Sequence, residues 1–174
     1  MAAVSDLVEI LTKIVERNRA QQFAQELVSH RILPVSRGRS VAQLTTHHAG
    51  SVVVAILSTD TGRQAVEGFQ LFATLTDGDH NLHEAVAGII DAGYKGEPAP
   101  DGVLTVNRTR RVAIIAQPGQ ADREFSLEGA SLPARHGMEV VATIPLWRAH
   151  EIGHRMALAD DPNYISAAWA DDES

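Results

Sequence analysis

His150 and His154 stand four residues apart with Glu151 beside the first, in the run HEIGH. On a helix, positions i and i+4 share a face, so two imidazoles would stack one turn apart next to a carboxylate. This fits H-E-x-x-H, in which the two histidines ligate zinc and the glutamate is general base towards a metal-bound water. A catalytic zinc takes three protein ligands and leaves a fourth position open for that water.

Asp160 follows His154 by six residues, so the run HEIGHRMALAD resembles the metzincin-type zinc peptidases over eleven residues. The resemblance implies zinc held by His150, His154 and Asp160, with Glu151 as the base. Two positions depart from it. Ala157 stands where that family has the glycine that turns the chain towards the metal. The fourteen residues after Asp160 contain no Met for the family's downstream Met-turn. An amphipathic helix accounts for the same letters: Ala149, Ile152, Met156 and Ala159 make one apolar stripe, and Arg148, His150, Glu151, His154 and Arg155 the solvated side. Glu151 and Arg155 are then a favourable i,i+4 pair. The zinc peptidase is therefore the alternative reading, and the principal one has no metal, cofactor or catalytic residue. His47, His48, His80 and His83 lie at helix starts, where surface positions are expected.

The elements that must position these residues follow from periodicity. Val4, Leu7, Val8, Leu11, Ile14 and Val15 repeat at helical spacing, predicting a helix from Asp6 to about Arg17 with Asp6 and Glu9 as its cap. A second helix starts at Asn18, buries Ala20, Phe23, Ala24, Leu27 and Val28, and ends near Ile32-Leu33-Pro34. Thr45 or Thr46 caps a third, with Ala49, Val52, Val53, Ile56 and Leu57 inward and a break at Thr59-Asp60-Thr61. A fourth runs to about Leu75. Asn81 with Glu84 caps a fifth, for which Gly93 is the expected stop. Lys95 to Gly102 reads as a linker. Strands are expected at 103–106, 111–116, 124–127 and 138–144, and a last helix from about Leu146 to Ala159. The fold class is α+β: a helical, helix-turn-helix-like module over 1–94, a linker over 95–102, a small antiparallel sheet with a C-terminal helix over 103–160, and an acidic tail over 161–174.

The second helix carries the other candidate chemistry. Arg, Gln and Asn are the side chains that reach base edges, and Arg19, Gln21, Gln22 and Gln25 occupy its start and polar face. Arg31, Arg37 and Arg39 follow in or near a loop where guanidinium groups could meet phosphates. Residues 1–40 hold six Lys/Arg against four acids, whereas the remainder holds nine against eighteen. A basic segment in a chain of net charge −7 is the sign expected for contact with a polyanion.

Phe23 to Leu57, FAQELVSHRILPVSRGRSVAQLTTHHAGSVVVAIL, resembles a family of uncharacterised phage and prophage proteins from Gram-negative bacteria. That pattern is a helix ending in "aGLLP", a Gly/Arg-rich loop, then "LT…A.LLLALL". The matching parts are Arg31-Ile32-Leu33-Pro34, Arg37-Gly38-Arg39, Leu44-Thr45-Thr46 and Ala49 to Leu57. Leu82 to Ile90 is similar to the family's next helix, and the resemblance covers about two thirds of the chain. It implies a helix-turn-helix-like N-terminal part and a small α+β C-terminal part.

Length and composition set the remaining bounds. At 174 residues with 44% apolar side chains, the chain can bury a substantial core. It has no cysteine, which excludes disulfides and thiolate metal sites and suits a reducing compartment, the bacterial cytoplasm. No signal peptide or membrane span is visible. The expected partner is duplex DNA, with a homo-oligomer as a further possibility. The expected role is a phage-type accessory protein, in transcriptional regulation or DNA packaging, with a structural or self-assembling phage protein as a third class.

Overall fold

Val52-Val53-Val54 is a β-branched run, yet it lies in the middle of a helix. Such residues lose rotamer freedom in a helix, and burial overrides that preference. In the computed structural model, which describes residues 4–12, 14–35, 43–127 and 139–161, the helix α3 (Thr46–Ser58) is buried at every position from Ala49 to Ser58. A helix apolar all round must be enclosed. Around α3 lie α2 (Arg17–Ser29), α4 (Ala65–Ala73), α5 (Leu82–Tyr94), α6 (Leu146–Asp160) and the fourth strand. The first helix, α1 (Val4–Leu11), packs on α2 and α6.

The strands are β1 (Val103–Asn107), β2 (Val112–Ala116), β3 (Arg123–Phe125) and β4 (Val141–Pro145), in the antiparallel order β3-β2-β1-β4. The sheet has one dry face. Leu104, Val106, Ala113, Ile115, Phe125 and Ile144 point into the protein, while Thr105, Ile114 and Thr143 alternate outward. The α+β arrangement is as expected: helices α1–α5, then a four-stranded antiparallel sheet, then the C-terminal helix. The helical and sheet segments share one contiguous core, from Leu7 and Phe23 through Ile90 to Phe125 and Met156. The segment 95–102 separates them in sequence, not in packing.

Several boundaries move for local reasons. Helix α1 begins at Val4 and stops at Leu11, short of Arg17, so Asp6 sits in its first turn and is not its cap. Helix α2 begins at Arg17 with Glu16 at the N-cap position and no side-chain cap, so Asn18 lies within the helix. It ends at Ser29, before Ile32-Leu33-Pro34. Arg31 adopts φ +61°, its N–H donates to Val28 O at 3.0 Å, and the Ile32 N–H donates to Leu27 O at 2.9 Å. These are the two bonds of a Schellman stop. Helix α5 ends in the same motif, with Gly96 (φ +75°) donating to Gly93 O at 3.1 Å and Glu97 to Ala92 O at 2.9 Å. Gly93 is therefore inside the helix and is not its terminator.

Two caps follow the expected chemistry. Asn81 Oδ1 accepts from Glu84 N–H at 2.8 Å, and Glu84 Oε2 accepts from Asn81 N–H at 3.3 Å. At α3 the cap is Thr45, and its reciprocal partner is a histidine. Thr45 N–H donates to His48 Nδ1 at 3.0 Å, and His48 N–H donates to Thr45 Oγ1 at 3.4 Å. An imidazole thus takes the place of the usual Glu or Gln. Among the described residues, no helix is long and apolar enough to cross a membrane.

Candidate functional site

The exposed face of α2 consists of Arg17, which pairs with Glu9, and Asn18, Gln21, Gln22, Gln25 and Ser29, since Ala20, Phe23, Ala24 and Leu27 take the buried side. Spacings of three and four residues align these polar groups in one row. Beyond α3 a short 3₁₀ turn, Gly62–Gln64, packs against this row. A Cβ on Gly62 would lie 2.8 Å from Gln22 Cβ, so only glycine lets the turn approach this closely. The result is an open depression lined by Gln22, Gln25, Glu26, Thr61, Gly62 and Arg63. Arg63 is exposed there, beside the glutamine row. Arg31 is exposed just beyond the C-terminal end of α2. Arg37 and Arg39 lie outside the described residues.

Arg19 does not belong to this face. Its guanidinium lies 5.5 Å over the Phe23 ring and donates from Nη2 to Thr59 O at 3.0 Å and Ile56 O at 3.4 Å. Arg108 reaches the same place from the sheet, donating from Nε to Leu57 O at 2.7 Å and from Nη2 to Thr59 O at 3.4 Å. Asp60 lies 2.7 Å from Arg108 Nη1 and 3.6 Å from Arg19 Nη2, and the Arg108 hydrogen bond holds its carboxyl below the usual carboxylate range. Two guanidinium groups thus close the C-terminal end of α3, where unpaired carbonyls carry partial negative charge. Arg19 is thus placed as a helix-end clamp, its guanidinium engaged by the Ile56 and Thr59 carbonyls.

The HEIGH residues lie where α6 crosses α5. His150 is buried, and its Nε2 donates to the carbonyl of Glu97 at 2.8 Å. The expected solvated face fails at His150, which the Glu97 carbonyl meets, whereas Arg148, Glu151, His154 and Arg155 stay partly exposed, and Ala159 of the expected apolar stripe is exposed. Gly153 faces the Ile90 carbonyl, and Gly93 faces the His150 carbonyl. A Cβ on either would overlap those oxygens. Glu151 pairs with Arg155, accepting at 2.8 Å from Nε. His154 is half-buried, and burial, then the neighbouring His150 and Arg155, lower its pKa.

Asp160 does not join the two histidines. The helix is continuous from Leu146 to Asp160, so six residues separate His154 and Asp160 by about 9 Å along the axis. Donors sharing one zinc each lie about 2 Å from it. Asp160 Oδ2 instead accepts from Tyr94 Oη at 2.6 Å, tying the ends of α5 and α6 together. Among the described residues no group of three or more His, Asp or Glu is placed to hold a metal ion.

His47, His48 and His83 form a cluster that sequence spacing did not suggest, while His80 stands apart at the Asp77 turn. His47 and His83 meet edge-on at 5.6 Å, and His83 Nε2 donates to the His47 carbonyl at 2.9 Å. Burial, then proximity to His47 and His83, lower the pKa of His48. Arg63 and Arg108 were also not singled out from sequence. For Arg63 a signal existed: Gly62, beside a helix break, marks close backbone approach. For Arg108, a turn residue that clamps a helix 51 positions earlier, none did. Comparisons of the chain with protein-family models, with curated proteins and with solved structures find no match.

Proposed function

We propose that the protein binds duplex DNA through the exposed face of α2, as a phage-type accessory protein acting in transcriptional regulation or DNA packaging. The observation that carries this reading is the row Gln21, Gln22 and Gln25, uncharged and exposed, with Arg63 beside it on the Gly62 turn. Glutamine can bond adenine bidentately in the major groove, whereas arginines at the rim neutralise phosphates. Helix α2 spans about 20 Å, with Arg31 just past its C-terminal end, so phosphate contacts would flank the base-reading row. Glu26 lies in the same depression and opposes nonspecific binding, which leaves more of the affinity to the groove contacts.

The test is fluorescence anisotropy with labelled duplexes over a range of salt. Affinity should fall steeply with salt, and Arg31→Ala and Arg63→Ala should each reduce the slope by about 0.9. Gln25→Ala should relax sequence preference by about 1–3 kcal/mol at one base pair. Arg19→Ala should lower stability while leaving the salt slope as it was. Absence of binding to pooled random duplexes at low ionic strength would overturn the proposal.

A further inference from the structure

β4 is an edge strand. Its inner side pairs with β1 in the register Val106↔Ala142 and Leu104↔Ile144. The ladder is bounded by Arg108 N–H donating to Val140 O at 2.9 Å and Leu146 N–H donating to Gly102 O at 3.0 Å. Bonding alternates along an antiparallel strand, so residues 140, 142, 144 and 146 face β1 and the N–H and C=O groups of Val141 and Thr143 point away from it. No described residue pairs with these outward groups. Pro145 has no N–H and ends the row. The opposite edge of the sheet is closed at its end, where Ser126, just after β3, exchanges two backbone bonds with Thr76 at 3.0 and 2.9 Å.

Natural edges are blocked by charge, proline or a bulge within the strand. Val140 to Ile144 carry no charge and no proline. Of the four large apolar side chains exposed among the described residues, three lie here: Val140, Val141 and Trp147, at 46%, 49% and 47%.

We infer that β4 pairs with β4 of a second copy of this chain, antiparallel and centred on Ala142, joining two four-stranded sheets into one of eight. In that register Val141 faces Thr143 of the other copy, and the two equivalent pairs form four N–H···O=C bonds that use every outward group of both residues. The edge is thus complementary to itself, as a two-fold interface requires. Two-fold symmetry selects the direction, since each outward residue can exchange both an N–H and a C=O bond with a residue of the other copy only when the strands run antiparallel. Glu139, just before the strand, is already paired with Arg110 of its own chain. In a chain of net charge −7, this uncharged edge is where two copies meet without repulsion. The inference does not depend on DNA binding.

Sedimentation equilibrium of the full chain without DNA, over a wide concentration range, tests it. The expected result is a reversible dimer. Val141→Pro removes an outward N–H and leaves the β1 ladder intact, so it should weaken dimerisation at least about tenfold, or 1.4 kcal/mol, with unchanged circular dichroism. Val141→Lys, which needs no backbone adjustment, should weaken it as well and decides the matter if the proline variant fails to fold. A wild-type monomer at every concentration overturns the inference, and so does a dimer that the folded variants leave unchanged.

Discussion

Gly153 of α6 packs directly on the main-chain carbonyl of Ile90 in α5. The contact lets two helix backbones touch and brings His150 within reach of the Glu97 carbonyl. HEIGH is thus a packing motif, in which its glycine makes the crossing and its first histidine fastens the chain that follows α5.

Gly153→Ala should cost about 3 kcal/mol or more, at the upper end for overpacking, because the obstacle is backbone and cannot rotate away. Gly88, on the same α5, has no atom within 4 Å of a built Cβ. Gly88→Ala should therefore stabilise the protein by about 0.5–1 kcal/mol, the ordinary helix-interior gain. Urea denaturation of the two variants measures opposite signs on one helix pair.

Arg31 occupies the left-handed position of a Schellman stop, where a side chain costs about 1–2 kcal/mol relative to right-handed backbone. Arg31→Gly should raise stability by about 1 kcal/mol. If Arg31 also holds a phosphate, the same variant should bind DNA more weakly. A gain in thermal midpoint together with a loss in affinity would mark a residue kept at a structural cost.

Acid should unfold the protein in two stages. His48 and His154 have pKa values lowered from 6.5, so below that pH the unfolded chain takes up protons that the fold refuses. Their contribution is complete above 6.5 and declines as pH falls through 6.5 towards the folded values. Asp77 accepts N–H bonds from His80 at 2.9 Å and Asp79 at 3.2 Å, and pairs with Arg123 at 2.7 Å. The His80 bond leads in lowering its pKa from 3.8 to about 2. That contribution is present above 3.8 and is lost as pH falls towards 2. Thermal melts against pH should show both limbs, and Asp77→Asn should flatten only the lower one.

The legible parts of the fold were those whose cause is local. Asn81 with Glu84, the alternation of β1 and β2, and the apolar period of α5 depend on residues a few positions apart. What stayed hidden depends on partners distant in sequence. Arg19 has the composition of a base-reading residue, and only the approach of Thr59, 40 positions later, turns it inward. Gly93 has the composition of a helix stop, and only α6 explains why a glycine is needed one turn earlier. The polar face of α2 was legible because exposure follows from its own period, whereas Arg63 joins it through a tertiary contact.

The crossing of α5 and α6 also sets an order of events during synthesis. Residues 95–145 must be made after α5 is complete and before α6 begins. At about 5–20 residues per second, that is an interval on the order of seconds. Throughout it the Ile90–Gly93 groove is without its mate, and α3, which needs enclosure on every side, lacks one wall. The nascent helical half therefore leaves the ribosome as an unfinished shell, with an apolar seam that chaperones can hold until the last helix closes it.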